Sequence, residues 1–169
     1  MPNETPRMQR KMMAHYLDSS FGGTTASWYR VGKDLEEYNV EMNPDVEQFK
    51  NILGENNINH NGYEVSADSE PFYAREGDAL FEKLQSIVDT LAQYEGCQTD
   101  ALEVHLWEAG TTQGSFVAYK QPCYVVPTSY GGDTSGYQIP FTVYYVGEKV
   151  KGTFVPDAQT GGGAFTPDP

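Results

Sequence analysis

Along residues 37–47 polar and apolar side chains alternate strictly. Glu37, Asn39, Glu41, Asn43, Asp45 and Glu47 take the odd positions; Tyr38, Val40, Met42, Pro44 and Val46 take the even ones. A period of two lets an extended chain turn one face to a core and the other to water. The phase is lost at Phe49, and residues 54–61 form a Gly- and Asn-rich loop with Ile58 as its one apolar member. Alternation then resumes, with Tyr63, Val65 and Ala67 on one side and Glu64, Ser66, Asp68 and Glu70 on the other. These runs predict a long hairpin with a loose tip.

A second long hairpin is predicted from residues 123–130 and 137–146. In its second arm Tyr137, Ile139, Phe141, Val143 and Tyr145 face one way, and Gln138, Thr142 and Tyr144 the other. Gly131, Gly132, Asp133 and Gly136 between the arms suit a turn whose backbone visits positive φ. Pro140 lacks an N–H, so the second arm has an edge, a bulge or an unusual partner there.

Residues 76–94 change period. Leu80, Phe81, Leu84, Ile87, Val88 and Leu91 form one helical stripe, with Asp78 as N-cap, Glu82 in the first turn and Gly96 as the stop. Shorter strands are expected over 27–31, 100–108, 116–119 and 150–155. Residues 1–25 show no clean period and read as an N-terminal arm. Residues 156–169, with Gly161, Gly162, Gly163 and Pro169, read as a flexible C-terminal tail. The domain between them, 26–155, is mainly β (α+β). It is an antiparallel β-sandwich or barrel-like fold of six to eight strands, with two long hairpins and one flanking α-helix.

Charge changes this picture. The chain of 169 residues has 11 Lys and Arg against 24 Asp and Glu, a formal net charge of −13. Such a chain has no general attraction for nucleic-acid phosphates. Its 12 Tyr, 8 Phe and 2 Trp argue against disorder. The polar faces of the first hairpin carry Glu37, Glu41, Asp45, Glu47, Glu64, Asp68 and Glu70 and no Lys or Arg. Like charges opposite one another destabilise a sheet, so this face does not serve subunit stability. A solvated face on an acidic protein would also produce it.

Catalytic groups do not assemble. His15, His60 and His105 have neither His-Glu-x-x-His nor Cys-x-x-Cys company, so no metal or cofactor is expected. Ser135 sits in a glycine-flanked turn, but a strand follows it where a nucleophile elbow needs a helix. Cys97 and Cys123 are too few for a disulfide framework, and reduced thiols are expected. With neither an apolar span nor a signal-peptide core in the sequence, folding in a cytoplasm is expected.

One collinear set of segments carries a resemblance. It comprises Val40 to Gln48, Asn61-Gly62-Tyr63, Pro71-Phe72-Tyr73-Ala74, Thr128 to Phe141, Gly147 and Val150-Lys151-Gly152-Thr153. Together, over residues 26–155, these resemble the major tail tube proteins of long-tailed bacteriophages. The resemblance implies a tail tube fold whose subunits close into stacked rings, with six members, around a DNA channel. The partners would be further copies and other tail proteins, in a virion assembled in the host bacterial cytoplasm. The seven acids would then line the bore, and a wall without Lys or Arg would let DNA pass without sticking. Neighbouring rings would order the loop containing Gly54, Asn56, Asn57 and Asn61. A carbohydrate- or protein-binding β-sandwich module, using the many tyrosines as a platform, is the alternative.

Overall fold

The computed structural model describes residues 5–169; the first four residues of the predicted arm lie outside the described residues. Thirteen strands and one helix follow in order among the described residues. They are β1 (Met13–Asp18), β2 (Trp28–Val31), β3 (Val40–Glu41), β4 (Pro44–Lys50), β5 (Asn56–Tyr63), β6 (Ser66–Ser69) and α1 (Ala79–Thr90). After these come β7 (Gln98–Ala109), β8 (Phe116–Pro127), β9 (Gly131–Asp133), β10 (Gly136–Gln138), β11 (Phe141–Tyr145), β12 (Val150–Pro156) and β13 (Gly163–Pro167). The chain is mainly β and antiparallel with one helix, as its periodicities predict. It divides into two compact units: residues up to Lys33 with Gln98–Pro122 and Gly147–Pro169, and Asp34–Cys97 with Cys123–Val146. Strand β8 contributes to both.

In the first unit β1 lies between β2 and β7, with Tyr16 opposite Arg30 on one side and Leu102 on the other. Its core gathers Ala14, Tyr16, Trp28, Leu102, Val104, Ala118 and Phe154, with Phe165 packed against them. The Tyr16 and Phe154 rings meet at 4.7 Å. Burying a side chain such as Leu102 or Phe154 stabilises the fold by about 1.5–3 kcal/mol. The arm predicted over 1–25 is therefore corrected: residues 14–18 are all buried. The loop after β1 is tied down by buried Asp18, whose Oδ1 accepts from Ser20 N at 3.0 Å, Ser20 Oγ at 2.6 Å and Ser27 N at 3.0 Å.

The flexible C-terminal tail is corrected as well. Strand β13 pairs with β12, from Gly152 opposite Pro167 to Pro156 opposite Gly163. A Cβ on Gly152 would come within 2.7 Å of the Phe165 ring, so this glycine makes room for the Phe165 ring over β12. The runs 116–119 and 123–130, read as separate, join into one strand, β8, which ends at Pro127, short of residue 130.

In the second unit the end of β8 pairs with β11, β11 with β6 and β6 with β3. The register sets Val125, Val143, Ala67 and Val40 in one row across four strands. Phe72 stacks edge-on against Phe141 at 5.5 Å. Asp78 caps α1 as predicted, its Oδ1 accepting from Leu80 N at 3.0 Å and Phe81 N at 3.2 Å. Leu80, Leu84 and Ile87 are the helix's buried residues. The helix stops earlier than the stripe predicts. Leu91 is its left-handed C-cap and stands exposed, so Gly96 does not end it.

Around the predicted turn of the second hairpin, β9 and β10 pair across Thr134-Ser135. Gly131, Gly132 and Gly136 all have positive φ but lie in the strands flanking that turn. A Cβ on Gly132 would come within 2.3 Å of Gly136 O. Asp133 caps the turn by accepting from Ser135 N at 2.8 Å, and the Ser135 hydroxyl and N–H hold its carboxyl below the usual range. Pro140 falls in the break between β10 and β11, and its carbonyl accepts from Thr128 N at 2.9 Å.

Candidate functional site

The first predicted hairpin becomes two pieces. At its base β3 and β6 lie in the sheet; beyond them β4 and β5 form a separate two-stranded ribbon. The joint is Asn43, at φ 44°, a left-handed conformation that Asn tolerates better than most residues. Its Nδ2 donates to Glu64 O at 3.0 Å and to Ser66 Oγ at 3.3 Å. The single strand predicted over 37–47 thus turns at this residue.

The ribbon buries nothing. Every residue of β4 is exposed, and in β5 only Gly62 is partly covered. Met42, Val46, Phe49, Ile58 and Tyr63 all leave apolar surface exposed, although His60 meets the Tyr63 ring edge-on at 4.6 Å. The pairing shifts between Asp45, opposite Gly62, and Val46, opposite His60, which leaves Asn61 as an extra residue in β5. The loop expected over 54–61 is corrected accordingly. Asn56, Asn57 and Asn61 belong to β5, and only Gly54, at φ 78°, lies in the connecting turn. Ladder bonds from β4 override the low strand preference of Asn.

The tip is tied, not loose. Asn51 Oδ1 accepts from Leu53 N at 2.9 Å and from Glu55 N at 3.0 Å. Asn51 Nδ2 donates to Glu55 Oε2 at 2.8 Å, and Asn51 O accepts from Gly54 N at 3.0 Å. Neither Asn43 nor Asn51 was singled out by alternation. For Asn51 the available signal was the Gly three residues on, a turn-forming pattern; Asn43 has no such Gly.

All seven predicted acids are exposed, and the structure divides them among three settings. Glu41 and Asp68 share one sheet face, because Glu41 pairs with Ser66 and side chains two apart point the same way. Asp68 Oδ1 also accepts from Thr142 Oγ1 at 2.7 Å. Asp45 and Glu47 share a face of β4, joined there by Phe49. Glu37, Glu64 and Glu70 lie outside the strands. The single acidic strand face is therefore corrected to three separate groups, because the turn at Asn43 interrupts the alternation.

The remaining candidates keep other company. His105 stacks on Trp107 at 4.5 Å and 11°, beside Tyr119 at 5.3 Å, with Nδ1 3.4 Å from Glu108 Oε2. Ser135 Oγ lies 3.3 Å from Tyr73 Oη and bonds Asp133. Among the described residues no three His, Cys, Asp or Glu side chains gather as metal ligands would. No helix there is long and apolar enough to cross a membrane.

No family model and no curated protein matches this chain. Its function is therefore argued from the geometry above and from the resemblance.

Proposed function

We propose that this chain is a structural subunit that assembles with further copies into stacked rings, as a tail tube protein of a long-tailed phage. The observation that carries it is the ribbon of β4 and β5. A two-stranded hairpin alone in water is marginal at best, and this one holds its apolar side chains in solvent. Exposed apolar surface of this kind marks a contact with another chain. Supporting it is the charge of the chain: Glu41 and Asp68 on one sheet face, with no cation beside them in that register, suit a wall along which DNA slides.

Electron micrographs and sedimentation of the purified chain over a range of concentrations test this. Rings or tubes are expected. A monomer that persists to high concentration, with no particles on the grid, overturns it. A second reading has its own observation, the His105–Trp107 stack beside Tyr119. Aromatic faces of this type receive sugars or partner side chains. It predicts a monomer that binds a ligand and loses the binding on Trp107→Ala.

A further inference from the structure

In the second unit a groove runs between the end of α1 and the end of β8. Ile87, Val88 and Leu91 form one wall, Val126, Pro127 and Tyr130 the other, around a cavity of about 430 Å³. No charged side chain lines it. In a chain of net charge −13 such a surface is unusual, because it can meet another copy without bringing carboxylates together.

One residue of the groove's wall is held at a conformational cost. Leu91, at φ 50°, occupies left-handed backbone where glycine is the low-cost residue. It is nevertheless large, and 79% exposed. Strain retained at an exposed apolar rim points to use of that rim.

The ribbon tip has the matching properties. Ile52 is 103% exposed and Leu53 75%, so the tip occupies no groove on its own subunit. The residues Asn51-Ile52-Leu53-Gly54 carry no charge, and the Asn51 hydrogen bonds order the backbone that presents the two aliphatic side chains before any contact is made. Preorganisation of this type lowers the ordering cost of binding.

We infer that the Ile52-Leu53 tip of one copy seats in the groove between Leu91 and Val126 of the next. This rests on the assembly proposed above and names one of its contacts. Tip and groove are different surfaces of the same chain, so the contact runs head to tail and propagates from copy to copy.

The test begins with wild-type particles and two variants read by sedimentation and by thermal melting. Ile52→Asp with Leu53→Asp places charge at the exposed tip; the melt is expected to be unchanged, and assembly to weaken by roughly tenfold or more. Leu91→Gly relieves the left-handed backbone, so its melt is expected to rise while assembly weakens. That opposition separates docking from folding. Mixing an Ile52→Cys chain with a Leu91→Cys chain under oxidation is expected to give a reducible two-chain species. Wild-type particles with unaltered assembly in both variants, or tip-to-tip links in place of tip-to-groove links, overturn this contact and leave the ring proposal standing. A wild-type chain that never assembles overturns both.

Discussion

Two hairpins of this chain each have an arm with an alternating signal, and they come to opposite ends. In the pair of β8 and β11, Phe141, Thr142 and Val143 are all buried, and the apolar row continues into β6 and β3. In the ribbon, the alternation of residues 37–47 runs into β4 only as far as Glu47, and no residue of β4 or β5 is buried. Alternation reports that a strand has an apolar face. It does not report whether the same chain supplies the cover. In this protein the uncovered face is the one that the proposed assembly would use.

The sharpest break of that comparison is to remove a ring from each hairpin. Phe141→Ala, at a position 1% exposed, is expected to cost about 3–5 kcal/mol in urea unfolding. Phe49→Ala in the ribbon is expected to stay within about 0.5 kcal/mol for the dispersed subunit. Equal losses would mean that the ribbon is packed in solution.

A pH titration probes the packed side next. His15 lies buried in β1 with its pKa lowered from 6.5 to about 4, first by desolvation, then by Arg10, Lys149 and Arg30, while Glu103 opposes. Between these values the unfolded chain binds the proton and the folded one does not. Stability is therefore full above pH 6.5 and falls as pH drops towards 4, by at most about 3 kcal/mol from this group. His15→Gln is expected to flatten that slope.

The joint between the two regions gives a smaller effect. Asn43→Ala removes a donor and leaves a non-glycine residue at positive φ, at a cost of about 1 kcal/mol. Amide exchange is expected to quicken in β4 and β5 and to stay unchanged in α1. Smallest in stability is Glu41→Lys, a surface change expected to lie within about 0.5 kcal/mol. Its readout is DNA retention by assembled tubes, expected to rise at low salt and to fade at high salt. Unchanged retention places Glu41 away from the DNA path.

What the sequence made legible follows from how each segment is covered. Alternation revealed β6, β11 and β4, because each of these strands has unlike faces. It was silent on β1, whose residues 14–18 are buried on both sides and so offer no contrast. It was silent on β5, whose Asn-rich run is held by pairing and not by its side chains. Strand β13 was hidden by glycines that read as a tail, although Gly152 and Phe165 fit together across its ladder. At the candidate site the exposed acids and the hairpin were legible. The turn at Asn43, which divides the acids among three settings, was not, because an isolated left-handed Asn leaves no periodic trace.

The placement of β1 also sets an order of events during synthesis. Tyr16 pairs opposite Leu102 and packs on Phe154, so an early-made apolar segment waits for late-made partners. Contacts so distant in sequence form slowly. The ribbon, by contrast, has both strands within residues 44–63, so its pairing needs no late-made partner. A nascent chain thus exposes the element of the proposed assembly before its core has closed. Crowded polysomes carrying this message would bring such half-made copies together while the apolar run at residues 13–18 still waits for Phe154.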